Sequence, residues 1–262
     1  MKKRTDILFL MPSLVGFLVF FIVPSVASLR YAFINNAFDE TFVGLRHFRE
    51  LWQSEYFRLA VKNTVLFTLT AVPAVMVLSV VIASLVVRFA PKIPLVKTAF
   101  FLPVVLPSAS LTVLYNAYFS DCIPPFPSVL LVFLWKYGGL NVMLIITAIT
   151  CMDKTVLDAA KIDGAGYARC FIHIILPNIT PTLFFTLILS LVNSFRVFRE
   201  SYLLYGAYPD DSVYMLTNYI NNHFEKLNYQ NISTAAICFG VIVCAAVAAV
   251  FVAEKKRSER IW

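Results

Sequence analysis

The sequence predicts an all-α, polytopic membrane protein with about six transmembrane helices, and three observations predict it. Of its 262 residues 60% are hydrophobic and only 14% charged, whereas soluble globular domains carry about 25% charged residues. Apolar runs of about 20 residues, the length that crosses roughly 30 Å of hydrocarbon at about 1.5 Å per residue, occur six times. Between them the basic residues concentrate in the short connections of one side.

The six predicted spans are residues 7–29, 62–87, 96–119, 128–150, 179–204 and 232–253. The first follows Lys2, Lys3 and Arg4, but it is longer than the apolar part of a signal peptide and contains Pro12 and Pro24, so it is expected to remain as an anchor helix. The fourth is interrupted by Lys136, Gly138, Gly139 and Asn141. It still reads as a span, because LLVFL and VMLIITAI flank the interruption and its polar groups can face the bundle interior.

Orientation follows from the charges. With six spans, Lys2, Lys3, Arg4, Arg88, Lys92, Lys97, Lys154, Lys161, Arg169, Lys255, Lys256, Arg257 and Arg260 fall on one side, 13 of the 22 Lys and Arg. Positive loops stay in the cytoplasm, so both termini are expected there, in a bacterial inner membrane. The opposite loops mix Asp39, Glu40, Glu50 and Glu55 with Arg46, Arg49 and Arg58. The net charge of +7 is thus a topology signal, and no basic surface interleaved with aromatics points to nucleic acid. Cys122, Cys151, Cys170, Cys238 and Cys244 form no CxxC pair and read as small apolar fillers, while His47, His173 and His223 are too scattered for a metal site. No cofactor and no catalytic residue is predicted.

A moderately polar stretch, LDAAKIDGAGYARCFIHIILP at 157–177, lies between the fourth and fifth spans on the cytoplasmic side. Thr155 and Asp158 fit a [ST]-x-x-[DE] capping box, and Val156, Leu157, Ala159, Ala160 and Ile162 give the helix that follows an apolar face. Gly164 and Gly166 break it, and a second helix over 167–175 runs to Pro177. An amphipathic knuckle too small to fold alone and too apolar for water asks for a protein partner.

DAAKIDGAGYARCFIHIILP resembles the cytoplasmic EAA loop of the membrane subunits of binding-protein-dependent ABC importers, through Asp158, Ala159, Ala160, Gly164, Ile174, Leu176 and Pro177. FVGLRHFRELWQSEYFRLAVKNTVLFT, with Gly44, Phe48, Asn63 and Thr64, FFLPVVLPS and the long stretch from Ser194 to Ala236 resemble the carbohydrate branch of those permeases. Met152 and Asp153 depart from that pattern where a proline usually precedes the loop, and His47 stands for a common Asn. The resemblance implies the permease fold of type I ABC importers and one half of a translocation pore for a sugar or oligosaccharide. It implies a second permease subunit in a heterodimer, two ATPase subunits and an extracytoplasmic solute-binding protein as partners, in a lipid bilayer. It implies an ATPase-coupling loop at 151–178 carried by Asp158, Ala159, Ala160, Asp163, Gly164 and Ala165. The expected organisation is an anchor helix and outer loop at 1–61, a core permease domain at 62–253 and a cytoplasmic tail at 254–262.

The chain has no G-x-x-x-x-G-K-[ST] phosphate loop, and GAGYAR carries Arg169 where a dinucleotide motif needs its third glycine, so ATP is expected on another chain. In the fifth span Ser190, Asn193, Ser194 and Val197 recur at i, i+3, i+4 and i+7, which places three polar groups on one helical stripe. That stripe either lines the substrate path, as the resemblance implies, or bonds to neighbouring helices. Arg196, Arg199 and Glu200 lie nearer the outer end, with Arg196 and Glu200 at i, i+4, and read as charges that line the outer mouth or lock the helix. A secondary transporter is the alternative, but no acidic residue falls near the centre of a span. A membrane enzyme is disfavoured because no His, Asp or Cys cluster appears.

Overall fold

The computed structural model describes residues 2–35, 40–90, 94–119 and 122–258. Asp39, Lys92 and Arg260, used above for orientation, lie outside them. The described chain contains five helices long and apolar enough to cross a bilayer: Leu10–Tyr31, Glu55–Phe89, Pro125–Thr150, Thr180–Tyr205 and Tyr229–Lys256. By internal contacts it gathers into two units, residues 1–61 with 216–242 and residues 62–215 with 243–262.

The first unit opens with α1 (Lys2–Phe17), a π-helical turn (Leu18–Ile22) and α2 (Val23–Tyr31), whose apolar side chains from Leu10 onward stay uncovered. Arg46–Gln53 forms α3, a short amphipathic helix with His47 and Leu51 turned inward. The His47 Nε2 lies 2.9 Å from the Ile34 carbonyl, which explains a buried histidine here without a metal. Phe57 packs edge-on against both Trp52 and Tyr219.

The second unit holds most of the span pattern. Its helices are α4 (Glu55–Phe89, entering from the first unit), α5 (Pro94–Val105), α6 (Ser108–Phe119) and α7 (Pro125–Thr150). After the loop helices described below come α11 (Thr180–Phe195), α12 (Phe198–Tyr205), α13 (Leu216–Glu225, first unit) and α14 (Tyr229–Ser258, shared). Two apolar clusters hold α4, α7 and α11 together: Phe67, Ala71 and Val75 with Val129, Phe133 and Val197, and Ala83 and Val86 with Ile145, Ile149, Ile175 and Ile179. These pairings make α4 and α7 run in one sense and α11 in the other.

The predicted third span is not one straight helix. It bends by 106° between Thr98–Val105 and Ser108–Phe119. The cause is Pro107, which has no N–H to continue the ladder and forces Leu106 before it out of helical geometry. The fifth span also breaks, at Arg196 and Val197. The interruption at Gly138 and Gly139 is a packing device rather than a flaw in the span. A Cβ on Gly139 would fall on the carbonyl oxygen of Phe100 in α5, and Ser79 of α4 donates to the Gly138 carbonyl at 3.3 Å. Only a residue without a side chain lets α5 approach the α7 backbone this closely.

Candidate functional site

The knuckle between the fourth and fifth spans folds as α8 (Lys154–Ile162), α9 (Tyr167–Cys170), a second π-helical turn (Phe171–Ile175) and α10 (Leu176–Asn178). Its start differs from the predicted capping box. The helix begins at Lys154, one residue before Thr155, and the cap is Asp153, whose Oδ1 accepts the Thr155 N–H at 2.9 Å. That backbone hydrogen bond holds the Asp153 carboxyl below its ordinary range. Met152 and Asp153, which read as a departure from the expected proline, thus replace one way of starting a helix with another.

The end of α8 is a left-handed stop. Gly164 has φ +78°, the Asp163 N–H reaches the Ala159 carbonyl and the Ala165 N–H reaches back to Ala160 at 2.9 Å, which closes the last turn. Gly166 has φ −67°, open to any residue. We therefore expect Gly164→Val to strain the stop by roughly 1–2 kcal/mol while Gly166→Ala leaves it intact, read as faster amide exchange over residues 154–166 in the first variant alone. Equal exchange in both would remove the need for glycine at 164.

Asp158, Ala159, Asp163 and Gly164 are exposed, Ala165 is half-buried and Ala160 is buried. Val156 and Ile162 project from α8 at 47% and 86% exposure, an uncovered apolar stripe with Ala159 between them. Leu157 packs inward on the second cluster. Behind the stripe, Tyr167 ties the knuckle to the C-terminal end of α4. Its hydroxyl donates to the Ser84 carbonyl at 2.8 Å, and the Arg88 guanidinium sits 4.6 Å from its ring centroid. Burial pushes the Tyr167 hydroxyl above its ordinary pKa.

Inside the bundle the predicted stripe separates into different roles. Ser190 accepts a hydrogen bond from Asn141 of α7 at 2.7 Å, Ser194 meets Thr68 of α4 at 3.1 Å, and Val197 enters the apolar cluster. Asn193 is half-buried, and its side chain makes no hydrogen bond among the described residues. In the N-terminal part of α4, Asn63 donates to the carbonyls of Asp211 and Tyr214 at 2.6 and 2.9 Å and pins the loop that holds them.

A charged group that sequence spacing did not pair completes the core. Glu200 does not turn to Arg196. The break at Arg196 and Val197 abolishes the i, i+4 geometry, and Glu200 Oε1 instead lies 2.5 Å from Lys136 Nζ, with Ser108 donating to the same oxygen at 2.9 Å. Lys136 also donates to Ser108 at 2.5 Å. Lys136 is 9% and Glu200 1% exposed, so α6, α7 and α12 are joined by a dry ion pair. Two charges of opposite sign in two apolar spans were the available signal.

Residues 64–255 match the family described as the inner membrane component of binding-protein-dependent transport systems. The chain belongs to that family. The permease is 28% identical over 250 residues to the probable ABC transporter permease protein YurN of Bacillus subtilis, covering 84% of this chain and 85% of that one. It is 26% identical over 232 residues to the arabinooligosaccharides transport system permease protein AraP of the same organism, covering 78% and 73%. Its fold superposes on a bacterial ABC transporter involved in the import of the acidic polysaccharide alginate, with TM-score 0.81, 23% identity and coverage of 97% and 96%. The permease is accordingly a multi-pass membrane subunit of an ABC importer and not itself an enzyme.

Proposed function

We propose that this permease forms one half of the translocation pore of an importer for a sugar or oligosaccharide, with a second permease subunit as its other half. Of its two ATPase subunits one docks on the 151–178 loop of this chain, an extracytoplasmic binding protein delivers the solute, and both termini lie in the cytoplasm. The observation that carries the reading is the exposed apolar stripe of α8, stopped by Gly164 and tied to α4 through Tyr167. A helix of this length cannot stand alone in water, and its rigid attachment to a spanning helix is what a motor needs to move a pore. Relatives named for arabinooligosaccharide and lactose transport support the solute class. The secondary-transporter alternative loses ground, because Glu200, an acid toward the end of a described span, is already paired with Lys136.

In this reading Asn193 faces the solute, while Ser190 and Ser194 hold helices together. Asn193→Leu leaves a solute hydroxyl unpaired in a closed site, at about 1–3 kcal/mol, and is expected to raise the half-maximal solute concentration roughly tenfold or more. Ser190→Ala and Ser194→Ala are expected to lower stability by about 0.6 kcal/mol each with little effect on that concentration. The measurement is solute-stimulated ATP hydrolysis by the reconstituted complex across a sugar panel. No stimulation by any sugar would refute the solute class, and unchanged transport in Asn193→Leu would remove that residue from the path.

A further inference from the structure

The capture of Glu200 by Lys136 leaves two arginines without an acid. Among the described residues no carboxylate stands within ion-pair distance of Arg196 or Arg199. Both side chains are exposed, and both lie within the apolar span Thr180–Tyr205. Both are also charge neighbours of the Tyr137 hydroxyl on α7, together with Glu200. Three cations, Lys136, Arg196 and Arg199, against one anion, Glu200, give this group a net charge of +2 (3 − 1).

A guanidinium stays charged at every physiological pH. Placed against hydrocarbon it is costly, so an arginine within a span pairs, snorkels or faces a water-filled path. The helix break separates the two roles along α11 and α12. Val197 and Glu200 turn into the core, while Arg196 and Arg199 stay on the uncovered side. Fixed positive charge at the wall of a low-dielectric path raises the local concentration of anions and repels cations. The arginine fork also matches carboxylate and phosphate oxygens two at a time.

We propose that Arg196 and Arg199 line the outer part of the path and select an anionic solute, a saccharide that carries a carboxylate or phosphate group. This rests on the sugar-importer reading above and adds the charge of the sugar to it. Both arginines stand at the helix break beside the buried Lys136–Glu200 pair, several residues short of the end of the span at Tyr205, which favours the path over two independent anchors in lipid headgroups.

The test uses the complete complex in proteoliposomes with its binding protein. The probes are a hexuronate trimer and the same trimer with its carboxyls reduced to alcohols, and a sugar phosphate with its dephosphorylated sugar. Uptake is divided by each probe's affinity for the isolated binding protein, so the pore's own preference is read. The wild type is expected to favour an acidic member about tenfold or more. Arg196→Gln/Arg199→Gln should abolish that preference, and Arg196→Lys/Arg199→Lys should retain part of it, while co-purification of the partner subunits persists in both. The uronate and phosphate arms tell which acid is preferred. Equal uptake of acidic and neutral members by the wild type overturns the proposal and leaves the sugar reading standing. An effect of the variants that occurs only with anionic phospholipid assigns the arginines to headgroups, and loss of the partner permease assigns them to that interface. Either outcome overturns the proposal. If no saccharide of either kind is taken up while the assembled complex hydrolyses ATP, the sugar reading itself fails.

Discussion

Gly139→Ala is expected to cost the permease about 3 kcal/mol or more, the upper end of what overpacking does to a core. The obstacle is a main-chain carbonyl, that of Phe100, on which the new methyl group would fall. No rotamer change clears it, so α5 must back away from α7. Gly138→Ala is the internal control. Its Cβ would meet the Val75 Cγ2 at 3.5 Å and the Ser79 Oγ at 3.9 Å, ordinary contact distances, and the expected cost is under about 1 kcal/mol. For a chain of this size the Gly139 variant should melt roughly 6–12 °C lower in detergent. Equal melting of the two variants would mean that α5 does not rest on the α7 backbone.

The second large effect belongs to Lys136 and Glu200. Removing either partner alone leaves a buried, uncompensated charge, expected to cost about 3–5 kcal/mol. Lys136→Met with Glu200→Leu together should recover most of that loss, because apolar replacements of a buried pair are often neutral. A double-mutant cycle by thermal melting reads the coupling directly. Additive losses would show that the two charges do not meet in the folded protein. Ser108 adds a marker to the same cycle: it donates to Glu200 and opens α6 just after the bend, so breaking the pair should also loosen the proline-bent third span.

Why some of this could be read from the sequence and some could not follows from the range of each interaction. Span positions depend on local composition, and five of the six predicted runs appear as long apolar helices. The stop at Gly164 is equally local, because a positive φ is a property of one residue, and the structure places it at +78°. The observed cap, Asp153, lies two residues before the Thr155 that the capping box predicts, because both residue types cap helices well and only the backbone decides between them. The 106° bend at Pro107 was hidden because proline within an apolar run is compatible with a kinked but continuous span. The Lys136–Glu200 pair joins residues 64 apart in sequence, and Asn141–Ser190 joins residues 49 apart. Periodicity on one helix says which side a residue faces, not which neighbour is there. For this reason the stripe of Ser190, Asn193, Ser194 and Val197 could be drawn from sequence, whereas its division into helix contacts and a half-buried asparagine could not.

The central claim is that the knuckle at 151–178 is where an ATPase subunit grips this permease. The most direct measurement places a photo-crosslinking amino acid at Val156 or Ala159, on the exposed stripe of α8, in the intact complex, and compares the wild type with Asp158→Lys. The account predicts a crosslink to an ATP-hydrolysing subunit, and a fall in both crosslinking and ATPase co-purification in Asp158→Lys while the permease remains inserted in the membrane. A crosslink to lipid alone, or undiminished crosslinking and transport in Asp158→Lys, would contradict it.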